Sequence, residues 1–149
     1  MTRRAVSSEE APAALGPYSH AIVANGLIFC SGMAGIDPAG AIPDGIEAQT
    51  EQALTNLASV LEAAGASMDD VVKTTIFYAD VDDFARLNEV YARHMPEPPS
   101  GALGAGPRAT SARSAGLDRG HRGRSDLDLR RLVGPSAVDI RGHSEGGPA

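Results

Sequence analysis

The alternation of apolar and polar residues near the N-terminus predicts a β-hairpin. Residues 20–24 and 27–31 are two short apolar runs, and Asn25-Gly26 lies between them. Because both residues of this dipeptide tolerate a positive φ, it is typical of a two-residue hairpin turn. Residues 1–15, which are rich in Ala, Ser and Pro, are expected to form a flexible or edge-lying lead-in.

A helical period follows over residues 46–64. We expect Asp44 to cap this helix, with Glu47 at the spacing of a capping box, and Gly65 to end it. Apolar residues recur every three or four positions and predict one buried stripe. Its members are Ile46, Ala53, Leu54, Leu57, Val60, Leu61 and Ala64.

The densest run of β-branched and aromatic residues, 71–79, predicts a strand. Strict alternation places Val72, Thr74, Ile76 and Tyr78 on one of its faces. A second helix is predicted over residues 83–95, with Asp82 as its cap and Met95-Pro96 as its end, because the residue before proline leaves the α region. The apolar stripe of this helix consists of Phe84, Leu87, Val90 and Tyr91.

The order β-β-α-β-α leaves a sheet that requires at least one more strand, yet the sequence changes character at residue 100. Residues 1–99 hold five Lys/Arg against fourteen Asp/Glu, a net charge of −9. Residues 100–149 hold eight Arg against five acidic residues, a net charge of +3, and ten of the 17 glycines. We therefore expect a domain over 1–99 and a Gly/Arg-rich, irregular or disordered tail over 100–149, with the closing strands missing.

The composition also excludes several classes of protein. Cys30 is the single cysteine, so an intrachain disulfide is impossible, and a reducing cytoplasm is the expected location. The apolar run around Cys30 favours a buried structural thiol over a nucleophile. No apolar run reaches the length of a membrane span. The four histidines, His20, His94, His121 and His143, show no metal-ligand spacing, so neither a metal nor another cofactor is expected.

Several motifs in the first 99 residues resemble the YjgF/RidA family of imine/enamine deaminases. The matching segments are 11–19 (Ala-Pro-Ala-Ala-Leu-Gly-Pro-Tyr-Ser), 27–32 (Leu-Ile-Phe-Cys-Ser-Gly), 52–57, 60–65, 71–77 and 87–91. The resemblance implies an α+β fold, a chorismate mutase-like βαβ sheet covered by two helices, and a homotrimer with sites between subunits. It also implies hydrolysis of 2-imino acids, or their enamine tautomers, to 2-keto acids and ammonia.

By this resemblance Tyr18, Ser31, Gly32 and Asn88 are substrate-binding residues. Tyr18 and Asn88 would supply polar contacts, and Ser31-Gly32 would form a wall or supply hydrogen bonds. Three of these residues also have a structural interpretation. Tyr18 could be a turn aromatic packed on the core, Ser31 a strand-end hydroxyl bonded to backbone, and Asn88 a solvent-facing helix residue.

Two catalytic parts of the family pattern are absent from the sequence. The family has Pro-Ala-Arg-Ser after the second helix, where its arginine binds the substrate carboxylate, and a glutamate on a later strand that positions water. This chain has Ser100-Gly-Ala-Leu-Gly104 at that point. Possible codons for it, TCC GGC GCG CTC GG, encode Pro-Ala-Arg-Ser when the first base is dropped. A one-nucleotide frameshift near codon 100 is therefore our hypothesis.

The expected consequence is an impaired deaminase, since no catalytic residue can be named with the arginine and glutamate gone. Arg108 or Arg113 could replace the missing cation, although nothing in the sequence places either. One alternative is a non-catalytic, small-ligand-binding regulatory trimer of the same fold. Another is nucleic-acid binding through the basic run 108–131, which is disfavoured for the acidic domain.

Overall fold

The computed structural model of this protein describes residues 2–105, 134–135 and 139–141. Its seven strands form one sheet in the spatial order β1-β2-β3-β7-β4-β5, and β6 also pairs with β4. The strands are β1 (Arg3–Val6), β2 (Ala21–Ala24), β3 (Leu27–Cys30), β4 (Val71–Phe77), β5 (Gly101–Ala105), β6 (Gly134–Pro135) and β7 (Asp139–Arg141). The helices are α1 (Ile46–Ala64) and α2 (Phe84–His94), with short 3-10 helices at Met68–Asp70 and Val81–Asp83. The fold is α+β, as predicted.

The three C-terminal strands correct the expectation that the closing strands are missing. β5 runs parallel to β4, whereas β7 lies between β3 and β4 and is antiparallel to both. Strand pairing uses backbone N–H and C=O groups, so a segment can close a sheet without an alternating apolar pattern. The rest of the predicted tail lies outside the described residues, and the domain boundary at residue 99 stays a prediction.

The predicted hairpin is confirmed, and the lead-in contributes its outer strand. Asn25 and Gly26 have φ values of 53° and 73°, the left-handed conformation that a two-residue turn of this type requires. β2 and β3 pair on either side of the turn, from Ala24 opposite Leu27 to Ala21 opposite Cys30. β1 pairs with the other edge of β2, so part of the lead-in is edge-lying.

A β-bulge shifts the alternation predicted for β4. Val71 and Lys73 face consecutive residues of β7, which leaves Val72 as the extra residue of the bulge. Val71 is consequently buried together with Thr74 and Ile76, while Val72 is exposed. The prediction that Val72 shares a face with Thr74 and Ile76 is therefore wrong.

Helix α1 has the predicted bounds but not the predicted cap. Gly45, with φ 84°, occupies the N-cap position and supplies no side-chain hydrogen bond, so Asp44 is not the cap. Glu47 is bonded to Arg86 of α2 instead of closing a capping box. At the other end Gly65 adopts φ 90°, and its N–H donates to the carbonyl of Glu62. This is the left-handed glycine that ends many helices.

Helix α2 begins later than predicted because a 3-10 turn precedes it. The side chain of Asp80, not that of Asp82, caps this turn by accepting the N–H of Asp82 at 3.0 Å. α2 ends at His94, and Met95 is extended before Pro96, as predicted. Neither helix in the described part of the chain is long and apolar enough to cross a membrane.

The core lies between α1 and one face of the sheet, which we call the covered face. Ile28 and Cys30 of β3 and Val71 of β4 belong to the same buried cluster as Leu57, Val60 and Leu61 of α1. A smaller cluster joins Ile46 of α1, Ile76 of β4 and Leu87 of α2, and it packs α2 against both elements. The opposite face, which we call the open face, carries the half-exposed rings of Phe29 and Phe77.

Candidate functional site

A cavity of about 220 Å³ lies between the turn that precedes β2 and the loop that follows β3. Two of the predicted site residues, Tyr18 and Gly32, line this cavity. The other described residues that line it are mostly apolar: Pro12, Ala13, Ala14, Leu15, His20, Met33, Ala34, Ile36, Pro38, Ala39 and Gly40. An apolar cavity with a few polar groups is the usual form of a small-molecule site.

Helix α1 holds one wall of this cavity in place. Asn56, which is fully buried, donates through Nδ2 to the carbonyls of Ala34 at 3.0 Å and Ile36 at 2.8 Å. Between them Gly35 lies so close to the helix that a Cβ there would be 2.4 Å from the carbonyl oxygen of Gln49. Only glycine permits this approach, so the wall is fixed by backbone contact as well as by hydrogen bonds.

Tyr18 both lines the cavity and stabilises its own turn. Its hydroxyl oxygen accepts the N–H of Leu15 at 3.1 Å, and its own N–H donates to the carbonyl of Gly16 at 2.8 Å. The side chain is 48% exposed, so it is not a core aromatic. Because the hydroxyl oxygen acts as an acceptor here, its proton remains available to a ligand.

Ser31 has a structural partner. Its Oγ donates to the carbonyl of Ser19 at 2.7 Å, and its N–H donates to the carbonyl of His20 at 2.9 Å. These bonds extend the pairing of β2 and β3 by one residue and hold Gly32 at the cavity. The geometry therefore favours a strand-end hydroxyl over a substrate contact for the Ser31 side chain.

Asn88 lies apart from this cavity within the single chain. It is half-buried on α2, and it is not among the described residues that line the cavity. The structure thus brings Tyr18 and Gly32 together and leaves Asn88 elsewhere. Its predicted role as a substrate contact stays a prediction.

His20 also lines the cavity and was not predicted from the sequence, where the histidines were considered only as possible metal ligands. It is 6% exposed, and its Nδ1 accepts the N–H of Ser8 at 3.1 Å. Its position two residues after Tyr18, immediately before the strand β2, was the available signal. Together with Tyr18 it supplies the titratable side chains among the described lining residues.

The described part of the site holds neither a cation nor a metal cluster. No Lys or Arg side chain in the described part of the chain lines the cavity. The described His, Cys, Asp and Glu residues include no group of three that could hold a metal ion. Cys30 lies in the core nearby, where burial raises the pKa of its thiol to about 12. A thiol with this pKa stays protonated at neutral pH and is a poor nucleophile.

This chain matches one known protein family over most of its length. The family described as Endoribonuclease L-PSP matches residues 8–113 of the 149. The chain belongs to this family, which is the YjgF/RidA family. The match extends beyond residue 99, where the sequence changes character, and it includes the whole of β5.

Two relatives and one solved structure are similar to this chain, each over a different length. The chain is 50% identical over 98 residues to Reactive Intermediate Deaminase A, chloroplastic, of Arabidopsis thaliana. The aligned region covers 64% of this chain and 52% of that protein. The chain is 36% identical over 137 residues to the 2-iminobutanoate/2-iminopropanoate deaminase of Capra hircus, covering 91% and 93% of the two chains. The crystal structure of yeast YEO7 has a TM-score of 0.77, 31% identity, and coverage of 95% and 100%.

Proposed function

We propose that this RidA-family chain binds 2-imino acids and their 2-keto acid products in the cavity beside Tyr18, and hydrolyses the imine only slowly. The observation that carries the proposal is the position of Tyr18 and Gly32 at one cavity, within a family match that spans residues 8–113. The name of the Capra hircus relative, 2-iminobutanoate/2-iminopropanoate deaminase, suggests the substrate class.

The reaction adds one water to the carbon of the C=N bond and releases ammonia, leaving a C=O bond in a 2-keto acid. It needs a cation for the carboxylate, best a guanidinium, and a group that orients or deprotonates water. The described wall offers the Tyr18 hydroxyl and the backbone at Gly32, with no cation and no carboxylate. The proposed impairment follows from this lack, together with the absence of Pro-Ala-Arg-Ser from residues 100–104.

Turnover can be measured by generating 2-aminoacrylate in situ and following pyruvate release. We expect a rate close to the uncatalysed one for the native chain. A clear acceleration would contradict the proposed impairment. Sequencing of the locus is the companion test, because an intact reading frame through Ser100, with no Pro-Ala-Arg-Ser codons in the shifted frame, would exclude the frameshift.

A single substitution tests whether a missing cation limits binding. Ala102 is exposed in β5, beside Thr74 of β4, and it aligns with the arginine of the family's Pro-Ala-Arg-Ser. It is not among the described residues that line the cavity of the same chain, so the test also rests on the proposed trimer, in which a neighbouring copy would bring this position to the cavity. Ala102→Arg should tighten the binding of 2-oxobutanoate about tenfold, because hydrogen bonds to charged groups contribute about 1.5–3 kcal/mol. Ala102→Met has a similar length without the charge and should leave the affinity unchanged. Equal affinities for the two variants would contradict the assignment.

The proposal includes a homotrimer formed through the open face. Phe29 and Phe77 are 47% and 46% exposed on this face, and exposed rings of this size on a sheet favour association. Light scattering during gel filtration would measure the mass, and Phe77→Asp should convert the trimer to a monomer. A native chain that is monomeric at micromolar concentration would contradict this part.

A second candidate function is a non-catalytic binder of 2-keto acids. The apolar lining, in which the described polar side chains are Tyr18 and His20, favours it over fast acid–base catalysis. Thermal stabilisation by 2-oxobutanoate without any turnover of 2-aminoacrylate would support this function.

We also propose a cytoplasmic location, which the single unpaired thiol of Cys30 supports. Fractionation of cells that express the native chain would test it. Recovery of the chain in an oxidising compartment would contradict it.

A further inference from the structure

His20 is a buried polar side chain at the edge of the cavity. It is 6% exposed, lies immediately before β2, and is among the residues that line the cavity. Its backbone carbonyl accepts the N–H of Ser31, so the residue is held by the pairing of β2 and β3. The imidazole therefore lies at a fixed position relative to the neighbouring Tyr18.

The hydrogen bond from Ser8 determines the tautomer of this ring. A backbone N–H can only donate, so the Nδ1 atom that accepts it at 3.1 Å carries a lone pair. The neutral ring then has its proton on Nε2. Among the described residues no acceptor is hydrogen-bonded to Nε2, although leaving a buried donor unpaired costs about 1–3 kcal/mol.

We propose that the Nε2–H of His20 is a ligand-binding donor of this site, acting with the Tyr18 hydroxyl on one oxygen-bearing end of the ligand. The inference rests on the proposed function and adds a residue to it. Both groups are donors once their structural bonds are made, since the Tyr18 oxygen and His20 Nδ1 each accept a backbone N–H. Two donors at one cavity match a carbonyl or carboxylate oxygen, not an ammonium group.

The remaining lining defines the other end of this ligand. Met33, Ile36 and Leu15 present apolar side chains, and prolines and alanines complete the described wall. A volume of about 220 Å³ accommodates a small aliphatic group. The site is therefore expected to take short 2-keto or 2-imino acids with an unbranched or branched aliphatic side chain.

Two amide substitutions separate the structural nitrogen of His20 from the ligand-binding nitrogen. In His20→Asn the amide oxygen takes the place of Nδ1, so it can accept the N–H of Ser8 but lacks the reach of Nε2. In His20→Gln the longer amide takes the place of Nε2 and loses the acceptor for Ser8. A purely structural histidine would tolerate Asn better than Gln in every measurement.

The experiment measures the dissociation constant of 2-oxobutanoate and the ligand-free melting temperature of the full chain and both variants. We expect His20→Asn to weaken binding about 5- to 10-fold, the effect of one hydrogen bond of about 1–1.5 kcal/mol, with little change in melting temperature. His20→Gln should bind within about twofold of the native chain, by the same reasoning, and melt at a lower temperature.

Tyr18→Phe is the control that separates this inference from the proposed function. If Tyr18→Phe weakens binding and His20→Asn does not, the inference about His20 is wrong and the proposed function stands. If the native chain does not bind 2-oxobutanoate, or neither variant weakens binding, the cavity is not the ligand site and both fail. Weaker binding by His20→Asn at an unchanged melting temperature supports the inference.

Discussion

The two faces of the sheet carry similar apolar residues in opposite environments. On the covered face Ile28, Cys30 and Val71 are at most 4% exposed beneath helix α1. On the open face Phe29 and Phe77 remain about half exposed. The covered face therefore stabilises the single chain, whereas the open face can add stability only through a partner. The cavity depends on the single chain in the same way as the covered face, because Asn56 of α1 is hydrogen-bonded to one of its walls.

The largest expected effect is a truncation on the covered side. Leu57 is fully buried in α1 against the sheet, so Leu57→Ala should lower the free energy of unfolding by about 2–5 kcal/mol, through lost burial and the cavity it leaves. Urea titration would measure it. The loss should not depend on protein concentration, because the contact lies within one chain.

Phe77→Ala is the matched change on the open face. At high dilution it should alter the free energy of unfolding by less than about 1 kcal/mol, as surface substitutions usually do. The loss should grow with protein concentration if the face is covered by further copies. Equal, concentration-independent losses for Leu57→Ala and Phe77→Ala would contradict the distinction between the two faces.

Asn56 tests whether the cavity depends on the covered side. Asn56→Ala leaves the carbonyls of Ala34 and Ile36 without their donor and should lower the free energy of unfolding by about 1–3 kcal/mol. It should also reduce the thermal stabilisation by 2-oxobutanoate, since both carbonyls belong to cavity-lining residues. Gln52→Ala, which removes a donor to Asn56 Oδ1 in a less buried position, is the control with a smaller effect. Normal ligand stabilisation of Asn56→Ala would show that the wall holds without it.

The elements around the sheet show which features of the fold the sequence could predict. Helix α1 was predicted with its observed bounds, because a wide apolar stripe and Gly65 determine it locally. The Asn25-Gly26 turn was predictable for the same reason. The position of β7 between β3 and β4 was not, because it depends on backbone pairing between segments far apart in the chain.

The candidate site also contains residues that the sequence could predict and residues that it could not. The family resemblance selected Tyr18 and Gly32, and the structure places both at the cavity. His20 was missed because histidine was considered only as a metal ligand, and its hydrogen bond from the N–H of Ser8, twelve residues away in the chain, cannot be predicted from the local sequence. The role of Asp80 in place of Asp82 was missed because a 3-10 turn precedes α2, and the choice of cap depends on how the chain enters the turn.

The thiol of Cys30 makes the burial of the covered face measurable as a pH dependence. Burial raises its pKa to about 12, whereas the thiol of an unfolded chain ionises near its ordinary pKa of about 8.5. Between these values the unfolded state binds fewer protons than the folded state, so stability falls as the pH rises.

The expected slope is a loss of up to about 1.4 kcal/mol per pH unit above the unfolded pKa. Urea titrations at pH 8, 9 and 10 would measure it, and Cys30→Ala should lack this component of the slope. Equal slopes for the two chains would mean that the folded thiol ionises as readily as the unfolded one.

The smallest expected effect concerns the exposed contact between α1 and α2. Arg86 donates from Nε and Nη2 to the two carboxylate oxygens of Glu47, each at 2.6 Å, and from Nη1 to Asp83 at 3.1 Å. The hydrogen bond from Arg86 is the main reason that the pKa of Glu47 is lowered. Because the folded pKa lies below the unfolded one, the stabilisation is present at neutral pH and is lost as the pH falls through the folded pKa.

Arg86→Ala should therefore lower the melting temperature slightly at pH 7, and by less than any change on the covered face, since both charged groups are about half exposed and screened by solvent. The difference from the native chain should shrink on acidification and on addition of salt. Arg93→Ala removes a longer contact to Glu51, at 3.5 Å, and serves as the control with a still smaller effect. A difference between Arg86→Ala and the native chain that persisted at low pH would show that Arg86 stabilises the helices by packing and not through the carboxylate of Glu47.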